Sequence, residues 1–193
     1  MARPRSEEAH RAALDTTVEL LLEGGIEGVT LDEVAARSGV AKSTLYRHFG
    51  SRDDLITMAA RCCVVEHPTP DTGSLASDLE FLFDHIGKVE EQRKITGLLS
   101  ILIESARWDP AMEELRDQAL AERRRPIRTV LQLAQLRGEI GPHLDLDAAV
   151  AMVVGPFTYR RMIERQPVTP EFAEMVLHGA VAALKATADR APV

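Results

Sequence analysis

The chain has 193 residues, 45% of them hydrophobic and 4% aromatic, enough for one large domain or two unequal ones with a proper core. A formal net charge of −7 argues against a protein that coats nucleic acid non-specifically, and no stretch approaches the roughly eighteen apolar residues of a membrane span. Helical periodicity dominates and no convincing strand alternation occurs, so the expected fold class is all-α, with about nine helices.

The opening MARPRSEEAHRAA is basic but lacks the apolar core of a signal peptide, which predicts a cytoplasmic protein. Ser6 is the expected N-cap of helix one, with Glu7 and Glu8 favourable to its dipole and Gly24-Gly25 at its end. Ahead of it, Arg3 and Arg5 read either as an arm that reaches a minor groove or as a merely solvated terminus.

The next stretch, TLDEVAARSGVAKSTLYRHFGSRDDL from Thr30 to Leu55, carries the strongest signal. Thr30 and Glu33 have the spacing of a capping box, so helix two begins at Leu31. Gly39 supplies a tight turn, and helix three spans Lys42 to Phe49. With Leu45 and Phe49 inward at i and i+4, the rotation of about 100° per residue turns Ser43 and Arg47 outward. Thr44, Tyr46 and His48 flank that ridge. Such a face suits phosphates and base edges better than plain solvation, which is the profile of a helix-turn-helix recognition element.

Four basic residues (Arg37, Lys42, Arg47, Arg52) and no acidic one lie between Val34 and Arg52, whereas from Cys62 onward 15 basic residues face 20 acidic ones. A locally basic reader on an acidic body fits binding to a defined site.

GVAKSTLYRHFGSRDDL resembles the N-terminal signature of the tetracycline-repressor (TetR) family of bacterial transcriptional regulators. The match rests on Thr30-Leu31, Val34-Ala35, Gly39-Val40, Thr44-Leu45-Tyr46, His48-Phe49, Arg52 and Leu55, in about the first third of the chain. The resemblance implies a dimer that sets two recognition helices in successive major grooves of a pseudo-palindromic operator. Ser43 and Arg47 are the expected base readers, with Thr30, Lys42, Thr44, Tyr46, His48 and Arg52 chiefly on phosphates.

Helix four is expected from Ser51, as cap, to about Glu66. HPTPDTGS, His67 to Ser74, is the clearest break in the chain. It predicts a DNA-binding domain over 1–66 and a second domain over 67–193. Beyond it, helices are expected near Leu75–Lys88, Arg93–Arg107, Pro110–Arg137 (kinked at Pro126), Leu146–Ile163 (interrupted at Gly155-Pro156) and Pro170–Thr187. Helix six, apolar nearly all round, is expected in the middle of the second domain. The Arg123-Arg124-Arg125 run reads as an exposed helix face, with phosphate binding as the rarer alternative.

The last two helices carry broad apolar faces, and the resemblance implies that they pair with their copies in a homodimer. Val150, Val153, Phe157, Phe172, Met175, Val176, Gly179 and Ala183 are the candidates, with capping of the chain's own core as the alternative. The resemblance further implies a small-molecule effector in the second domain that shifts helix four. Phe83, His85, Leu99, Leu102, Ile103, Trp108, Met112, Met152 and Tyr159 are candidate lining residues, each equally readable as core packing. The sparse polar supply predicts an apolar or amphipathic ligand.

No Walker loop, G-x-S-x-G, H-E-x-x-H or G-x-G-x-x-G occurs, and the six histidines lack ligand spacing, so neither catalysis nor a cofactor is expected. Cys63 and His67 at i and i+4 do not make a metal site, and Cys62 and Cys63 read as small buried apolar residues, with a redox-sensing thiol as the rarer alternative. Two other functions stay open: a dimeric DNA reader without a ligand, and a helix-turn-helix that docks another protein.

Overall fold

The computed structural model describes residues 4–93 and 95–188; the side chains of residues 4–6, 62 and 90–93 are not described. Among the described residues there are nine α-helices and no strand: α1 (Pro4–Gly24), α2 (Leu31–Ser38), α3 (Lys42–Phe49), α4 (Arg52–Ala60), α5 (Leu75–Arg93), α6 (Ile95–Ser105), α7 (Pro110–Leu136), α8 (Leu146–Thr158) and α9 (Pro170–Lys185). No helix among them is long and apolar enough to cross a membrane.

Helix boundaries follow local chemistry. Thr30 caps α2 by accepting from the Glu33 amide at 3.1 Å, and Ser51 caps α4 by accepting from the Asp54 amide at 3.0 Å. Gly39 ends α2 in the left-handed region, at φ 71°, where a side chain would be strained. The described part of α1 begins at Pro4, ahead of the Ser6 expected as its cap. α4 stops at Ala60 and passes into a short 3₁₀ turn, Arg61–Cys63, rather than continuing to Glu66. Cys63 is buried there, off any helix that would align it with His67.

α7 runs unbroken across Pro126. α8 likewise runs through Gly155-Pro156 to Thr158, against the interruption expected there, and passes into a π turn, Tyr159–Ile163.

The chain divides into two compact units, and the division is not simply linear. The first comprises Met1–Val64 and Lys94–Ala119, the second Val65–Arg93 and Leu120–Val193. α6 is therefore not the centre of a C-terminal domain: it packs against α1 and α4. Gly97 permits the approach, since a Cβ there would come within 2.6 Å of Leu22 Cδ2. The core of the first unit includes Ala13, Leu21, Val34, Leu45, Phe49, Leu55 and Leu98.

The second unit closes over Leu75, Leu79, Leu82, Ile127, Val130, Leu131, Val150, Val153, Phe157, Leu177 and Leu184. A polar network ties its helix ends together. Asp78, fully buried, accepts from Arg137 at 2.9 Å and from the Thr72 amide at 2.6 Å. Arg137 also donates to Glu139 at 2.8 Å, and Glu139 receives the Leu75 amide at 3.0 Å and lies 3.3 Å from Lys185 Nζ. Burial alone would raise the Asp78 and Glu139 carboxyls. The hydrogen bonds from Thr72 and Leu75 and the charge of Arg137 outweigh it and hold both below the usual range.

Candidate nucleic-acid interface

α2, the Gly39 turn and α3 form the helix-turn-helix, held on α1 and α4 by Val34, Leu45, Phe49 and Leu55. Leu45 and Phe49 are buried, and their burial fixes the rotation of α3. Ser43, Tyr46 and Arg47 are accordingly exposed, with Thr44 and His48 half-buried at the edges. The outward face has the composition deduced from helical spacing.

The four cations of this segment have different fates. Arg37 bridges Glu33 and Glu23, at 2.7 Å each. Lys42 Nζ lies 2.7 Å from Asp32, an exposed pair that holds the ammonium above its ordinary pKa by hydrogen bonding. Arg52 turns inward: its Nε donates to the Val29 carbonyl at 2.6 Å, Nη2 donates to the Ile26 carbonyl, and Nη1 pairs with Asp53 at 3.1 Å. Against the phosphate role expected for it, Arg52 secures the turn ahead of α2, and its fork is occupied in doing so. Arg47 alone among the four is exposed with no ion pair among the described residues.

The remaining side chains sort similarly. The Thr30 oxygen is committed as a helix cap, but its hydroxyl proton remains a donor. His48 turns toward α1, where its ring meets that of His10 at 5.9 Å while His10 stacks on Phe49 at 4.8 Å. Arg3 lies outside the described residues, as does the side chain of Arg5. The His10 contact was invisible in the sequence, because nothing local links α1 to the end of α3.

Comparison with known proteins follows this geometry. Residues 13–58 match the bacterial regulatory proteins of the tetR family, and residues 69–180 match the tetracyclin repressor-like C-terminal domain. The chain belongs to the TetR family. TetR-family membership makes it a DNA-binding transcriptional regulator. The HTH-type transcriptional regulator YdeS of Bacillus subtilis is 28% identical over 186 residues, covering 96% of this chain and 94% of YdeS. The HTH-type transcriptional regulator Mb1581 of Mycobacterium bovis is 30% identical, covering 85% and 81%. Among solved structures, the flavonoid-responsive regulator FrrA shares the fold with a TM-score of 0.71 at 20% identity, covering 96% of this chain and 100% of its own.

The residues expected to line an effector cavity do not gather in one place. Leu99, Leu102 and Met112 are buried in the first unit, where Ile103 is exposed and Trp108 is 83% exposed. Phe83 packs on Phe157 at 4.5 Å in the second unit, and His85 lies beside His67 at 5.8 Å. Met152 and Tyr159 are exposed.

The dimer candidates also split. Val150, Val153 and Phe157 face the second unit's own core, because their side of α8 packs inward. Met175, Gly179 and Ala183, spaced i, i+4 and i+8 on α9, face out, with Phe172 and Val176 half-buried. With Met152 and Pro156 of α8 they line a shallow apolar groove along both helices.

Proposed function

We propose that the protein is a cytoplasmic homodimeric repressor that holds a pseudo-palindromic operator and leaves it when a small amphipathic molecule binds the second unit. The observation that carries the DNA-reading part is Arg47, an exposed guanidinium on a helix rotated by its buried Leu45 and Phe49. Arg47 pairs bidentately with a guanine and Ser43 reads a neighbouring base edge. Thr30, Lys42, Thr44 and Tyr46 hold phosphates; the exposed Lys42–Asp32 pair costs little to open. His48 contributes from the rim beside α1, and Arg52 acts as a strut.

The groove on α8 and α9 supports dimerisation through a four-helix contact. Small residues at 179 and 183 let a second copy approach closely, and the 65%-exposed Met175 is otherwise an unexplained apolar surface. Effector response needs an element that differs between two conformers. A bound dimer blocks transcription by occupying the operator.

Selection of bound sequences from a genomic fragment pool tests this reading. Enrichment of an inverted repeat with half-sites about one helical turn apart supports it. Absence of any retained DNA at low salt would favour a helix-turn-helix that docks protein.

A further inference from the structure

His10, on the second turn of α1, packs against two consecutive residues at the end of α3. Its ring stacks on that of Phe49, with centroids 4.8 Å apart and planes 17° from parallel. It meets the His48 ring edge-on at 5.9 Å, and the His48 and Phe49 rings stand 6.2 Å apart, so the three form one cluster. Stacked and edge-to-face contacts are directional, so a ring held this way fixes its neighbour's angle as well as its distance. His10 and His48 are half-buried and Phe49 is buried.

α3 is only eight residues long, and its N-cap, Ala41, offers no side-chain hydrogen bond. Leu45 anchors its middle, and the chain turns away at Gly50, φ 80°, directly after Phe49. Beside the ring cluster lies a cleft of about 540 Å³ lined by His10, Leu14 and Val18 of α1, His48 of α3 and Met58 of α4, with other residues of α1 and α4. With that volume alongside, the end of α3 has room to move once the His10 ring is cut back. Arg47 immediately precedes the two ring residues. So short a helix tilts as a rod, and a tilt displaces the guanidinium. A bidentate guanine contact tolerates little displacement, because hydrogen bonds weaken steeply as they leave line.

We propose that His10 is a positioning residue for base reading: its ring sets the tilt of α3 and so aims Arg47. The proposal rests on the reading that Arg47 takes a base edge. It adds that specificity is tuned from α1, by a side chain that itself reads no base.

The test uses the full chain on its selected operator, on that operator with single base pairs changed, and on scrambled DNA. His10→Ala should weaken operator binding about two- to tenfold, the span of one aromatic contact. It should flatten base preference at the position that Arg47→Ala flattens, and change binding to scrambled DNA by less than about twofold. His10→Phe, which keeps a ring face, should restore the preference. Val18→Ala, about two turns further along α1, loosens the same helix, leaves the three rings in place and should keep the preference. In an Arg47→Ala background, His10→Ala should add no further loss on the operator. Additive losses, equal loss on operator and scrambled DNA, no rescue by His10→Phe, or the same relaxation in Val18→Ala overturns the positioning role. Preference relaxed by Arg47→Ala but untouched by His10→Ala overturns this proposal alone. Preference untouched by Arg47→Ala overturns the Arg47 reading, and the proposal with it.

Discussion

Arg52 Nε donates to the Val29 carbonyl at 2.6 Å and so ties the first residue of α4 to the turn ahead of α2. Its Nη2 takes the Ile26 carbonyl as well, and a planar fork can serve both acceptors at once. Arg52→Ala should lower stability by about 1–2 kcal/mol, the charge-assisted bonds being discounted for partial exposure. Arg52→Lys should not restore it. A phosphate contact would instead show in the salt dependence of operator binding. Chemical denaturation and a salt titration separate the two, with the salt slope expected to match the wild type.

The Asp78–Arg137–Glu139 network makes the second unit acid-sensitive. Both carboxyls have folded pKa values below their unfolded ones, so their contribution is present above the unfolded values and is lost as pH falls through the folded ones. Asp78→Ala leaves Arg137 without its buried partner and should cost about 3 kcal/mol, the lower end for breaking such a pair. Melting curves from pH 7 to pH 3 should show the wild type losing stability steeply in the acid range and the variant less so.

His67 acts in the same direction through a different window. Its folded value of about 4 lies below its ordinary 6.5, so the unfolded chain takes up the proton first as pH falls. Its share of stability is intact above pH 6.5 and declines between there and pH 4. His67→Phe removes two unsatisfied buried nitrogens and should raise the melting temperature, increasingly so below pH 6.5. A variant melting lower than the wild type at pH 5 would contradict this account.

Gly97 faces the tip of the half-buried Leu22 across the α1–α6 contact, so Gly97→Val should push Leu22 Cδ2 aside and cost about 1 kcal/mol, the lower end for overpacking. Adding Leu22→Ala should recover part of that loss, and a double-mutant cycle measures the coupling.

Gly179 has open space where a Cβ would lie and faces the apolar groove. Gly179→Arg should fold normally and sediment as a monomer, with operator affinity reduced because one half-site is then held alone. A dimer unchanged by this substitution would remove the groove from the interface.

What was legible in the sequence was local. The Thr30 and Ser51 caps, the Gly39 turn and the rotation of α3 follow from residues within a few positions of one another. What was not legible depends on distant partners. α6 is apolar on nearly every side, so its sequence shows that it is buried but not that α1 receives it. Arg52 reads as one more cation until the carbonyls of Ile26 and Val29 are placed beside it. Val153 and Met152 are neighbours of similar hydropathy, and only packing decides that one faces the core and the other the groove.

The central claim is that α3 reads sequence through Arg47. The most direct measurement compares wild type and Arg47→Ala on the selected operator and on scrambled DNA at one salt concentration. The account predicts a loss of about 1–3 kcal/mol on the operator, relaxed preference at one base position, and a much smaller change on scrambled DNA. An equal loss on both DNAs, with base preference unchanged, would contradict it.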